Sequence, residues 1–270
     1  VNDKGDESRQ FVALVIPGTK GEVGWNGFQY QGVKSAVEEL GVELLLAENV
    51  VEHSGRAVPA VDSVIRAGAG MVILGSYNYP EELKEYMRTR PEVKFYGISN
   101  DLQMENFVAY SVRAYQARFL SGIIAALHSE KGKIGYVAAM KNTEVIRGIN
   151  AFALGVKKAN PNATVHVKWS KSWNDEEISR KATRELLDKH DIDVLTVHSD
   201  ALSPFEIAVE RGVWIVGYNI DNSTLYPKNF LTAPVWDWEA FYTPRILEVL
   251  QKKFVSKHYW EGAESGIPSL

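Results

Sequence analysis

Two sets of residue types in this sequence could do chemistry on a small molecule. One is aromatic: seven Trp, 12 Tyr and 10 Phe, several of them in polar turns. Gly24-Trp25-Asn26, Ser76-Tyr77-Asn78, Ser172-Trp173-Asn174-Asp175, Gly217-Tyr218-Asn219-Ile220-Asp221 and Trp236-Asp237-Trp238 are the clearest cases. The other set is the amides, hydroxyls and carboxylates beside those rings, with His198-Ser199-Asp200 added. Rings offer flat faces for stacking and polar groups read an edge, so the pairing suits a flat, polar, mostly uncharged ligand.

Each position also has a plainer use. Trp169 and Trp214 fall inside predicted strands and are expected in the core, while Trp260 is expected to cover a lobe edge. Trp25 is equally a pocket wall or a packed residue at a helix start. Trp173 is a lid or a pocket wall, and Trp238 is left open. Asn26 and Asp175 are typical helix N-caps. Asp221 sits in turn-forming Asn-Ile-Asp-Asn-Ser. Arg113 need only pair with a nearby carboxylate.

Signatures of catalysis are scarce. There is no GxGxxG, no GxxxxGK[ST], no GxSxG and no HExxH. The complete absence of cysteine removes disulfides, thiolate metal sites and cysteine nucleophiles. The six histidines are scattered. His198 with Asp200 is the only pair at a predicted strand end, and without a partnered nucleophile it reads as a binding contact. No enzyme activity, catalytic residue, cofactor or metal is therefore expected. Thirty Lys and Arg against 34 Asp and Glu, a formal charge of −4, is a poor footprint for nucleic acid. No run approaches the roughly 18 apolar residues of a membrane helix. The richest, Phe119 to Leu127, is interrupted by Ser121 and Gly122. The opening VNDKGDESRQ reads as a charged tether.

The elements that must hold these residues follow one plan used twice. Short β-rich runs open at Phe11, Val42, Met71 and Val93, with helix-like stretches such as Asn26 to Leu40 and Glu81 to Thr89 between them. Apolar strands alternating with helices indicate a parallel sheet covered on both faces. A second set opens at Ile134, Val165, Val194 and Val213, lying 123, 123, 123 and 120 residues after its counterparts. Gly32-Val-Lys-Ser-Ala36 and Gly155-Val-Lys-Lys-Ala159 repeat at the same 123-residue spacing. The expected fold is α/β, with two doubly wound Rossmann-like lobes. The chain should cross between them near Val108 to Arg113 and again near Leu231 to Trp236. An amphipathic helix over Asp237 to Lys252 would return it to the first lobe. This places residues 1–110 and 237–257 in an N-terminal lobe and 111–236 in a C-terminal lobe, with 258–270 a tail crossing near the hinge. Ligands of open parallel sheets bind beyond the carboxyl ends of the strands. The aromatic and polar turns listed first, together with Ser99-Asn100-Asp101 and Met140 to Glu144, all fall there.

At these strand ends the chain resembles a known family. GWNGFQYQGVKSA, KIGYVAA, EVIRGINAFALGVKKANPNA, SWND, HSD, GYNID and VWDWEAFYT, in that order, are similar to the basic membrane protein family of ABC-transporter substrate-binding proteins. Its best-known members are purine nucleoside receptors. The resemblance runs from about Phe11 to Gly262. It implies a type I periplasmic binding protein fold, two lobes joined by a multi-strand hinge, and extracytoplasmic capture of a purine for a membrane ABC permease. It also implies a monomer, in the periplasm or at the cell surface, held by a lipid anchor on an upstream segment.

Two departures from the family pattern bear on the ligand. Where the family carries an acid ahead of Phe/Trp-Asn after the first strand, this chain has Glu22, then Trp25 and Asn26. Where the nucleoside receptors carry Gly-x-Asp-x-Asp, this chain has Gly217-Tyr218-Asn219-Ile220-Asp221, and Trp236 stands for a ribose-binding lysine. Exchanging a carboxylate and an ammonium for an amide and a ring weakens the grip on sugar hydroxyls and strengthens stacking. The expected ligand is a free, adenine-like base ahead of a nucleoside, held in the inter-lobe cleft by hinge closure. The expected contacts are Trp25, Asn26, Ser76 and Tyr77 from one lobe, and Trp173, Asp200, Tyr218, Asn219, Asp221 and Trp236 from the other. A sugar-binding protein and a transcriptional regulator's effector domain are the competing readings.

Overall fold

In a computed structural model that describes residues 11–98 and 102–270, the chain forms two compact units. Residues 1–10 and the predicted strand-end residues Ser99, Asn100 and Asp101 lie outside the described residues.

The first unit draws on 1–112 and 237–261. It contains β1 (Phe11–Val15), α1 (Trp25–Leu40), β2 (Glu43–Ala47), α2 (Ala57–Arg66), β3 (Ala69–Leu74), α3 (Tyr79–Glu82), α4 (Lys84–Arg88), β4 (Lys94–Ile98) and β5 (Phe107–Val112). The second draws on 113–236 and 262–270. It contains α5 (Ala114–His128), β6 (Lys133–Ala138), α6 (Thr143–Ala159), β7 (Thr164–Trp169), α7 (Glu176–Lys189), β8 (Val194–His198), α8 (Ser203–Glu210), β9 (Trp214–Val216), β10 (Phe230–Thr232) and β11 (Val235–Trp236). The chain then returns to the first unit for α9 (Trp238–Leu250) and β12 (His258–Glu261) and finishes in the second with β13 (Pro268–Ser269).

Both sheets have the same strand order. The first runs β12-β5-β4-β3-β1-β2 and the second β10-β9-β8-β6-β7, with every pairing within them parallel. Leaving out β12, each is the doubly wound order 2-1-3-4-5, whose switch point, where successive connections leave in opposite directions, lies between the first and third strands. Burial explains why the apolar runs became strands: Val12, Ala13, Leu14 and Val15 of β1 and all five residues of β8 are buried, as helices on both faces require. Edge strands β2 and β7 are only partly covered.

Helix ends follow local chemistry. Gly41 closes α1 in the left-handed region at φ 66°. Asn142, Asp175 and Asp237 cap α6, α7 and α9, their side chains accepting from Val145, Ile178 and Ala240 N–H at 2.9–3.0 Å. Helices α5 and α6 meet backbone to backbone. A Cβ on Gly122 would lie 2.2 Å from the Phe152 carbonyl oxygen, and one on Gly155 1.9 Å from that of Phe119.

Three expectations change. The segment read as a tail is divided: His258–Glu261 pairs in parallel with β5, extending the first sheet, and only 262–270 belongs to the second unit. Trp214 is 37% exposed rather than in the core: it opens the three-residue β9, at the strand's amino end, and burial begins only at Ile215. The helix predicted over Glu81 to Thr89 is two short helices broken at Leu83.

Candidate functional site

The carboxyl ends of both sheets carry the predicted residues, and each end has its own arrangement. In the first unit, Trp25 opens α1, directly after the loop that leaves β1. Its indole N–H donates to the Gly75 carbonyl at 2.8 Å, just beyond β3, so it bridges the switch point. Trp238 packs edge-on against it with ring centroids 5.6 Å apart. Asn26 is not the helix N-cap, a position held by Gly24; its amide donates to Glu22 at 2.6 Å. Glu22 also accepts from Thr19 N–H at 2.8 Å, so the acid of the first strand-end loop is engaged within that loop. Ser76 is buried and donates to Glu52, which Asn78 also contacts at 3.1 Å. Tyr77 is exposed. Glu52, which no motif flags, is thus the shared acceptor of two strand-end side chains.

Behind this end lies a buried, neutral network. Gln29 accepts from Tyr242, and the Tyr110 and Tyr242 hydroxyls are 2.6 Å apart. Burial pushes both phenols above their ordinary range, so neither ionises near neutral pH. Trp238, left open by the sequence, is core: 3% exposed, among Trp25, Tyr110, Phe241 and Tyr242.

In the second unit, β8 ends in His198, followed by Ser199 and Asp200, and β9 leads to Tyr218 and Asn219. Asp200 N–H donates to the Trp173 carbonyl at 2.8 Å, tying those two loops together. Asn219 adopts the left-handed conformation at φ 66°, which asparagine tolerates better than most residues. Its carbonyl accepts the Trp236 indole N–H and its amide faces Asp200 at 3.4 Å. Tyr218 meets Trp236 edge-on at 6.4 Å. Trp173, Asp200, Tyr218, Asn219 and Trp236 therefore form one connected group. Asp221 stands apart, accepting from Ser223 N–H at 2.8 Å as an ordinary turn residue, and Asp175 is occupied as the α7 cap. Trp169, in β7, is partly buried against the core.

Beneath that group lies a buried charge the sequence reading missed. Arg118 of α5 is fully buried, donating to Thr196 Oγ1 at 3.2 Å and to the Val197 carbonyl at 2.8 Å. Its guanidinium stands 4.6 Å from the centre of the Tyr218 ring and 5.4 Å from that of Tyr136. The one available signal is that Arg118 shares a helix face with Ser121, Gly122 and Ala125, all small and buried. His198, 1% exposed, contacts Tyr136 Oη through Nδ1 at 3.0 Å. Burial, and then Arg118, push its pKa down to about 4, so the ring is neutral at physiological pH. Its Nε2 has no hydrogen-bond partner and lies 3.8 Å from Glu144 Oε1. Low-dielectric surroundings raise the Glu144 pKa, but the His198 contact and the Arg118 and Arg147 guanidiniums outweigh them and hold it below the ordinary range. Among the described residues no group of three or more His, Asp or Glu side chains is placed to hold a metal. No described helix is long and apolar enough to cross a membrane.

Known proteins resemble this chain over nearly its whole length. A purine-binding protein of Brucella abortus is 32% identical over 266 residues, covering 98% of this chain and 75% of its own length. A putative ABC-transporter glucose-binding protein of Haloferax volcanii is 29% identical over 252 residues, covering 93% of this chain and 63% of its own length. Among solved structures, a transcriptional activator of the comK gene from Bacillus halodurans superposes with a TM-score of 0.85 at 22% identity, covering 96% of this chain and 89% of that one. A solute-binding protein of an Aeropyrum pernix ABC transporter gives 0.81 at 19% identity, covering 96% and 75%. These two likenesses speak for the fold alone, that of the type I periplasmic binding proteins. The family model for PnrA-like ABC-transporter substrate-binding proteins matches residues 9–267. With that match over nearly the whole sequence, the chain belongs to the Bmp family of ABC-transporter substrate-binding proteins.

Proposed function

We propose that this chain is the extracytoplasmic solute-capturing component of an ABC importer, and that its solute is a purine, a free adenine-like base ahead of a nucleoside. The observation that carries this order is the state of Asn219. Its carbonyl is already engaged by Trp236, and the donor-only indole N–H fixes which way the amide faces. Its amide end is turned to Asp200. An aspartate at 219 would set two carboxylates against each other, so the amide belongs with Asp200 and Trp236. With one lone pair and one N–H so engaged, the amide offers a ribose a single acceptor site, where a free carboxylate would offer a pair of hydroxyls several. Indole and phenol rings beside Asp200 suit a flat heterocycle with N–H donors. The purine-binding relative from Brucella abortus supports the same solute class.

Trp25 supplies a stacking face in the first unit, with Asn26, Ser76 and Tyr77 beside it. Trp173, Asp200, Tyr218, Asn219 and Trp236 act in the second, where Asp221, taken up by its own turn, is left out. A membrane permease receives the solute from a monomeric, lipid-anchored protein.

The Haloferax volcanii relative supports a second solute, glucose, since aromatic platforms also suit pyranose rings. Mass spectrometry of small molecules released from the purified protein, followed by titration with adenine, hypoxanthine, adenosine, guanosine and D-glucose, separates the readings. Adenine should bind more tightly than adenosine. Guanosine or adenosine binding much more tightly than adenine overturns the order, and binding of glucose alone overturns the purine. Trp25→Ala should weaken adenine binding by about 1–3 kcal/mol, the range for base–aromatic stacking; unchanged affinity removes Trp25 from the site.

A further inference from the structure

The switch point of the second sheet lies between β6 and β8, and beyond open parallel sheets this is where ligands bind. Two side chains meet across it. Glu144 comes from the first turn of α6, the helix that follows β6, and His198 is the last residue of β8. The imidazole is buried, and one of its nitrogens has no partner but points at the Glu144 carboxylate, 3.8 Å away. The Glu144 side chain is 57% exposed. A buried polar atom left unpaired costs stability, so a native structure that keeps one calls for an explanation.

The ring's surroundings decide its proton. Arg118 and burial keep it neutral, so one nitrogen donates and the other accepts. An ionised carboxylate has only acceptor oxygens, so the nitrogen facing Glu144 is the donor, and Tyr136, whose phenol is pushed up to about 12 by burial, donates its O–H to Nδ1. Tyr136 thus donates to His198, whose remaining N–H faces Glu144 across 3.8 Å without yet bonding to it. Gly148, on the next turn of α6, makes room for it: a Cβ there would sit 3.0 Å from His198 Cε1.

We propose that Glu144 is a ligand-contacting carboxylate that accepts an N–H of the bound base, and that His198 is the residue that positions it. This rests on the purine reading above and adds a contact to it. Glu144 gives the second unit a carboxylate besides Asp200, and a free purine base has N–H donors on more than one edge. A nucleoside has lost the N9–H to its sugar, so two carboxylates favour the free base.

The test is calorimetric titration of the wild type, Glu144→Gln, His198→Gln, His198→Phe and the double variant Glu144→Gln/His198→Phe with adenine and D-glucose, alongside thermal unfolding without ligand. Glu144→Gln keeps the shape and removes the charge, and should weaken adenine binding on the order of tenfold or more, as expected for a hydrogen bond to a charged group. Its unfolding temperature should be nearly unchanged. His198→Phe should cost about as much, and the double variant no more than either single one, the signature of two residues acting as one unit. His198→Gln, which keeps an N–H to offer Glu144, should restore most of the affinity and serves if the phenylalanine variant does not fold. Adenine affinity within twofold of wild type in Glu144→Gln overturns the inference while leaving the purine reading intact. Loss of glucose binding in Glu144→Gln, with no adenine binding by the wild type, overturns the purine and retains the carboxylate. Additive losses in the double variant overturn the positioning role of His198.

Discussion

The two switch points share a strand order and are filled by different chemistry. In the first unit the gap between β1 and β3 is bridged by an indole bonded to a backbone carbonyl, backed by a glutamine and two tyrosines that cannot change charge near neutral pH. In the second the gap between β6 and β8 is bridged by an imidazole and a carboxylate, backed by a buried guanidinium. A neutral network fixes shape. A charged one also sets the protonation of whatever touches it. One strand order used twice thus carries an indole over a neutral network in one copy, and an imidazole and a carboxylate over a buried guanidinium in the other.

The largest effect that should separate the two is the removal of Arg118. Arg118→Leu leaves the Val197 carbonyl and Thr196 hydroxyl without their buried donor, and should cost about 2–4 kcal/mol in urea unfolding. A loss under about 1 kcal/mol would mean that the charge is not integral to the second unit.

Next comes pH. His198 is held near 4 against an ordinary value of 6.5, so below about pH 6.5 the unfolded chain takes up a proton that the folded chain refuses. Stability is therefore full above pH 6.5 and falls as pH drops towards 4, by about 3 kcal/mol at the limit. Melting curves from pH 7 to 4.5 should show this decline, and His198→Gln should flatten it. An equal slope in that variant would assign the decline to other groups.

In the neutral network the matching change is milder. Gln29→Leu should cost about 1–2 kcal/mol, because the Tyr110 and Tyr242 hydroxyls, 2.6 Å apart, still satisfy one another in part. It should leave the pH profile untouched. The smallest effect belongs to Trp236→Phe, which keeps a ring and loses one N–H, for about 0.5–1.5 kcal/mol of stability. By freeing the Asn219 carbonyl it should also narrow the gap between adenine and adenosine.

The repeat was legible because its eight strands are short runs rich in apolar and β-branched residues; their observed starts lie within about two residues of those read from sequence. β12 was not legible: His-Tyr-Trp-Glu has no apolar run, and only its partner β5 makes it a strand. Trp214 misled because the strand begins with it, one residue later than the apolar run, and the first residue of so short a strand lies outside the covered part of the sheet. At the site, turn residues of obvious type were found and their roles divided: Asp175 and Asp221 serve their own loops, whereas Asp200 and Asn219 reach other elements. Glu52 and Arg118 were missed, and Glu144 was placed at a strand end but given no role. Each matters through a partner 20 or more positions away, and sequence spacing carries no record of such pairs.

The placement of α9 and β12 has a consequence for how the molecule is made. The five strands of the second sheet are all present in the chain by Thr232, within one continuous stretch. The first sheet begins at Phe11 yet waits for His258–Glu261 to add its last strand and for Trp238 and Tyr242 to complete its buried network. During synthesis, where domains ordinarily mature from the N-terminus onward, the later unit can therefore close its sheet while the earlier one is still missing its edge strand.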